Sequence, residues 1–182
     1  LYTLNSKYGI FQIDLETMKQ LLFFNPAGKS GYCGSRMLIT QNQLVVADVN
    51  NRRLTLYSLT GQLIRYIDCP QISHYWVSLC LSPSNPDVTI VSDHQSSQVF
   101  AVNLTTGAGL WTNSDISEPQ GIASYGSEHV LVTKADKTTQ LWVLNADTGM
   151  WYVVCGKVIS HQLFCLSLTI ETLKGSPKPF RY

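Results

Sequence analysis

The sequence predicts an all-β protein of the β-propeller class, with about four blades of four antiparallel strands each. Three observations predict it. Short runs rich in β-branched and aromatic residues alternate with turn signals, and no segment carries apolar residues at helical spacing over a helical length. The runs recur as a unit of four with a period of about 43 residues, which is the length of a propeller blade. Charged residues make up only 14% of a chain that is 45% hydrophobic, so Ser, Thr, Asn and Gln supply the polar surface, as is common in all-β repeats.

The third strand of each unit is the most legible. Residues 98–107 (Gln-Val-Phe-Ala-Val-Asn-Leu-Thr-Thr-Gly) align without gaps on residues 140–149 (Gln-Leu-Trp-Val-Leu-Asn-Ala-Asp-Thr-Gly). Residues 10–17 and 53–61 have the same form, and each run ends in a turn carrying Thr or Gly. Second strands precede them at 44–48, 89–93 and 130–134, closing on Asp48, Asp93 and Lys134. First strands are expected at 37–39, 77–81 and 121–123, and fourth strands at 62–67, 109–111 and 150–154. The blades therefore span 36–68, 76–112 and 120–154, with the last three strands of an incomplete blade at 1–24. Residues 160–168 echo residues 73–81, which places the first strand of a further blade and a tail at 160–182.

A net charge of +1 without like-charge blocks gives no support for global attraction to nucleic acid or membrane. Five cysteines, Cys33, Cys69, Cys80, Cys155 and Cys165, are widely spaced, odd in number and lack any Cys-x-x-Cys. They are expected to be buried free thiols in a reducing, cytoplasmic setting. One glycosylation sequon, Asn103-Leu104-Thr105, falls within a predicted strand. The chain opens on Leu1-Tyr2-Thr3, already in mid-repeat, and is expected to be a piece of a longer protein whose remaining blades complete the ring.

Residues 46–57 (Val-Ala-Asp-Val-Asn-Asn-Arg-Arg-Leu-Thr-Leu-Tyr) closely resemble the NHL repeat, whose pattern is an apolar pair, Ala-Asp, a short turn, Asn-x-Arg and alternating apolar residues ending in an aromatic. Asp48, Asn51 and Arg53 occupy the matching positions. The next blade keeps Ser92-Asp93 but has Ser96-Ser97-Gln98 in place of Asn-x-Arg, and the one after has Lys134 for the Asp with an extra turn residue. The resemblance implies a six-bladed propeller at the C-terminus of a larger protein, as in the tripartite-motif ubiquitin ligases, where the propeller recruits protein or RNA. Ligase activity itself belongs to other domains.

In such a blade the loops joining second to third strands share a rim with the loops joining successive blades. Candidate binding residues on that rim are Asn51, Arg52, His74, Tyr75, Trp76, His94 and Lys137, with Asn50, Gln95, Ser96, Asp136, Glu118, Pro119 and Gln120 beside them. An aromatic near Arg suits base stacking or a protein interface. The plainer reading is a set of turn residues, with Asn taking the positive φ positions. Asp48 and Asp93 recur once per blade, which points to turn closure by backbone N–H groups, and Arg53 is expected to pair locally while Arg52 projects outward. Trp76, Trp111, Trp142 and Trp151 are expected at strand positions, packing between blades.

No cofactor, metal or catalytic residue is expected. His74, His94, His129 and His161 lack ligand spacing, and neither a Gly-x-Ser-x-Gly elbow nor a Gly-rich phosphate loop occurs. The leading reading is a non-catalytic recruitment or scaffold module that binds a protein or single-stranded RNA on the loop rim, without membrane contact. It is the substrate-recruiting part of a ubiquitin-ligase-like protein if the resemblance carries over. The alternative is the remnant of a metal-dependent, lactonase-like propeller hydrolase, which the carboxylate-poor first strands disfavour. An open arc of a six-bladed ring is favoured over a closed four-bladed ring in which residues 163–168 complete the N-terminal blade.

Overall fold

The structure, a computed structural model, describes residues 2–5, 9–24, 34–73, 76–134 and 141–155. The described residues form fifteen strands in four antiparallel sheets. The first sheet has three strands, β1 (Tyr2–Asn5), β2 (Gly9–Ile13) and β3 (Gln20–Phe24). The second runs β4 (Gly34–Ile39), β5 (Gln43–Asp48), β6 (Arg53–Ser58) and β7 (Leu63–Asp68). The third runs β8 (Val77–Leu81), β9 (Val88–Asp93), β10 (Gln98–Asn103) and β11 (Gly109–Asn113). The fourth runs β12 (Pro119–Tyr125), β13 (His129–Lys134), β14 (Leu141–Asn145) and β15 (Trp151–Cys155). Each sheet is an up-and-down meander, and its first described strand packs on that of the next: β1 on β4, β4 on β8, β8 on β12. That is the propeller arrangement.

Period-two alternation explains why the sheets stack. In β5, Val45 and Ala47 face the third sheet while Leu44 and Val46 join Ile10 of the first. In β9, Val91 faces back to the second sheet, and Val88 and Ile90 face forward to the fourth. In β10, Phe100 and Val102 face back while Val99 and Ala101 face forward. Alternating side chains of one strand thus fill two separate cores, and all six residues of β9 are buried.

The turns between third and fourth strands are closed by one device repeated four times. The strand-ending side chain accepts two backbone N–H bonds: Asp14 from Glu16 and Thr17, Ser58 from Thr60 and Gln62, Asn103 from Thr105 and Thr106, Asn145 from Asp147 and Thr148. These are the Asx and Ser turns that short polar side chains favour. In each sheet the pairing of these two strands slips by a bulge, next to the turn between Leu56 and Tyr57 and between Ala101 and Val102, and at the far end of the pair between Ile10 and Phe11 and between Leu141 and Trp142. Bulges increase the local twist.

These turns also receive the outer strand of the preceding blade. The guanidinium of Arg65 in β7 donates to the carbonyls of Thr105 and Thr106, and Trp111 Nε1 in β11 donates to the Ala146 carbonyl at 3.0 Å. Arg65 pairs with Leu56 and Trp111 with Ala101, so the two are equivalent positions of successive blades. Gly107 (φ +80°) and Gly149 (φ +69°) leave room for them. A methyl on Gly149 would come within 2.7 Å of Trp111 Cδ2, and one on Gly107 within 2.7 Å of the Arg65 guanidinium.

Several expectations are corrected. The first strands are longer than the apolar cores suggested, since β4 starts at Gly34 and β12 at Pro119, each through a bulge. Pro119 and Gln120 therefore belong to a strand rather than to the inter-blade loop, with Pro at the strand start, where its missing N–H is tolerated. Positive φ falls on Arg52 (51°) and Ser97 (52°), not on Asn50 or Asn51. Trp76 is not at a strand position: it precedes β8 with φ 54° and its side chain is 60% exposed. His74, Tyr75, Asp136, Lys137 and the expected strand within 160–168 lie outside the described residues.

Gly149→Ala is expected to destabilise the protein by about 2 kcal/mol, from left-handed strain plus displacement of the indole. In a Trp111→Ala background the cost should fall to about 1 kcal/mol, the strain alone. A double-mutant cycle by denaturant melts checks this, and additive costs would sink the steric account.

Candidate functional site

The rim where second-to-third loops meet inter-blade loops is organised by the two repeated aspartates. Asp48 ends β5 and pairs across the ladder with Arg53. Its carboxylate accepts from the Asn51 amide N–H at 3.3 Å, from Asn51 Nδ2 at 2.9 Å and from Arg53 Nε at 2.9 Å. The Arg53 guanidinium lies 3.7 Å over the Tyr66 ring, so a cation–π contact completes its coordination. One 3₁₀ turn, Val49–Asn51, spans this loop.

In the next blade Gln98 replaces Arg53, and Asp93 is fully buried. Its donors come from elsewhere: the Ser96 N–H at 2.8 Å, the Ser73 N–H at 2.6 Å, and Ser73 Oγ at 2.6 and 2.8 Å. A carboxylate that loses its cation is held by a hydroxyl and two amides instead, which ties the inter-blade loop to the blade. Both aspartates are thus engaged in closing turns. Among the described residues, no group of three or more His, Cys, Asp or Glu side chains is placed to hold a metal ion.

Around this frame lies an open cleft of about 540 Å³, lined by Trp76, His94, Gln95, Ser97 and Glu118. Trp76 and Glu118 are equivalent positions, each directly before a first strand, and Glu118 shares the left-handed conformation at φ 52°. Ser97 is the counterpart of Arg52. Three of the five lining residues are therefore non-glycine residues held at positive φ, a strain found where the surroundings over-determine it. The Trp76 indole leans on the His94 ring with centroids 5.0 Å apart and planes at 41°. The His94 N–H donates to the Trp76 carbonyl at 3.2 Å, and the Glu118 N–H to Ser97 Oγ at 3.2 Å. His94 Nδ1 and Ser96 Oγ are shut off from solvent without a hydrogen-bond partner, which is uncommon for buried polar atoms.

Of the residues singled out in the sequence, the structure brings Trp76 and His94 together, with Gln95 and Glu118. Asn51 is turned to Asp48, and Arg52 lies on the preceding blade's loop, lining no part of the cleft. Sequence reasoning missed Ser97 and Ser73. The alignment of Ser97 with Arg52 was available as a signal for the first. For Ser73 there was none, because its bond to Asp93 spans twenty residues.

Neither of the two described thiols is placed as a nucleophile. Cys69 and Cys80 are free and buried, and burial pushes their thiols up to about 11 and about 12 respectively. Burial, together with the charges of Tyr66 and Asp48, likewise pushes the Tyr57 phenol up to about 12.

No protein-family model matches the chain, and no curated protein matches it. Among solved structures it is similar to the computationally designed Ika4 protein, with a TM-score of 0.54 and 18% identity over 71% of this chain and 75% of that one. That likeness concerns the fold alone. Among the described residues, no helix is long and apolar enough to cross a membrane.

Asp93→Ala is expected to cost about 2–4 kcal/mol, because it strands the Ser73 hydroxyl, the buried Ser73 amide and the partly buried Ser96 amide. Asp48→Ala should cost less, since Arg53 is partly exposed and can turn to water; equal losses in denaturant melts would contradict this. Because the folded state holds the protons of Cys69, Cys80 and Tyr57 above their unfolded values, these groups leave stability intact below about pH 9. The unfolded chain ionises first as pH rises, so stability should fall between about pH 9 and the folded values near 11 and 12. Alkylation mapped by mass spectrometry should leave Cys69 and Cys80 unlabelled until denaturant is added; rapid native labelling would refute their burial.

Proposed function

We propose that this chain is a non-catalytic recruitment module that binds a protein or single-stranded RNA on its loop rim. The observation that carries the reading is the exposed Trp76 over His94 at the mouth of the cleft. A large, rigid aromatic held out to solvent in a strained conformation adds nothing to the cores on either side of its blade. Exposed aromatics of this kind anchor interfaces and stack on bases. The first strands β4, β8 and β12, which carry no Asp, Glu or His, and the engaged aspartates favour binding over chemistry.

The Asp48, Asn51 and Arg53 arrangement supports an NHL-type ancestry, and with it a role in recruiting substrates for a ubiquitin-ligase-like protein. The test is affinity capture with the wild-type chain and with Trp76→Ala, scored separately for proteins and for RNA. A set of partners retained by the first and lost by the second, at equal thermal stability, is the expected result. An unchanged set would remove the rim cleft from the function.

A further inference from the structure

The cleft has a definite charge character. Of its five lining side chains, Glu118 is the one that carries a formal charge when His94 is neutral, and none of the five is Lys or Arg. Glu118 is exposed, and among the described residues none makes a hydrogen bond to its carboxylate. Arg52 and Arg53 belong to the preceding blade's loop, and Arg53 is already paired with Asp48. Asp93, next to His94 in the chain, is buried against Ser73 and Ser96. Among the described lining residues a phosphate chain entering here would meet a carboxylate and no cation, the reverse of the positively charged groove that single strands need.

An aromatic face beside a carboxylate suits the opposite ligand. A guanidinium stacks on an indole, donates in a fork to a carboxylate, and carries further N–H donors for amide and hydroxyl oxygens such as those of Gln95 and Ser97. A volume of about 540 Å³ accommodates one such side chain with its flanking backbone. Resting on the recruitment reading above, we infer that the Trp76–Glu118 cleft takes an arginine side chain from a partner protein. Trp76 supplies the stacking face and Glu118 the counter-charge, and the left-handed backbone at both positions holds the two side chains at the cleft.

The experiment titrates the chain with a capped peptide carrying one Arg, with its citrulline isostere, and with oligouridine, up to about 5 mM, following the indole N–H signal of Trp76 by NMR. That signal is assigned by its absence in Trp76→Ala. The expected result is a saturable shift with the Arg peptide, at least about fivefold weaker with citrulline and in Glu118→Gln, and no shift with oligouridine. Melts of both variants should match the wild type, so that loss of binding is not loss of fold. Equal binding of Arg and citrulline peptides, or an unchanged affinity in Glu118→Gln, overturns the counter-charge and with it the inference. A Trp76-dependent shift with oligouridine alone also overturns it, while leaving the recruitment reading standing. No shift with any ligand overturns it too, and only an unchanged capture set in the earlier test removes the recruitment reading as well.

Discussion

A sheet of apolar strands that is buried on both faces must be covered twice, and this molecule is organised around that requirement. β9 has no exposed residue, so neither face of its sheet can be left to solvent. Its alternating side chains commit Val91 to one neighbour and Ile90 to the other, and the same division runs through β5 and β10. Burial of this kind is the dominant favourable term in folding. The outermost strands are the ones that meet water, and β7 and β11 show Ile64, Tyr66 and Leu110 to it.

That burial on both faces explains where a binding site is able to form. The turns on one rim are filled by Asx and Ser side chains satisfying their own backbone, which leaves few side chains free for a partner. On the opposite rim the aspartates do the closing from strand ends. The residues that follow the second of them, Gln95 and Ser97, and those just before a first strand, Trp76 and Glu118, line the cleft. The two carboxylates solve one problem with different donors, Arg53 in one case and Ser73 in the other. The second solution ties the inter-blade loop, through Ser73, to the strand end that precedes His94.

The parts of this design that were legible in the sequence are those fixed within a few residues. The Asn-x-Thr-Thr-Gly and Asn-x-Asp-Thr-Gly turns announce themselves because the capping side chain, its donors and the glycine are neighbours. The apolar runs that form β5, β9 and β10 were equally plain. What was hidden depends on tertiary context. The start of β12 at Pro119 was obscured because proline reads as a breaker, although a first strand position suits it. Left-handed backbone at Trp76 and Ser97 has no local signature, since neither residue type favours it. The pairing of Trp76 with His94, eighteen positions away, follows from the blade geometry and from nothing adjacent.

The sockets at Gly107 and Gly149 carry a further implication. Each receives a side chain from the blade before, but the inserted groups differ: a guanidinium that bonds two carbonyls in one, an indole that bonds one carbonyl in the other. The joints are keyed. A blade that met the wrong neighbour, in a swapped dimer or a mis-threaded chain, would present its key to a lock cut for another shape. Repeats that look interchangeable in outline are in this way given a fixed order of assembly, written at the periphery where it does not disturb the packing between sheets.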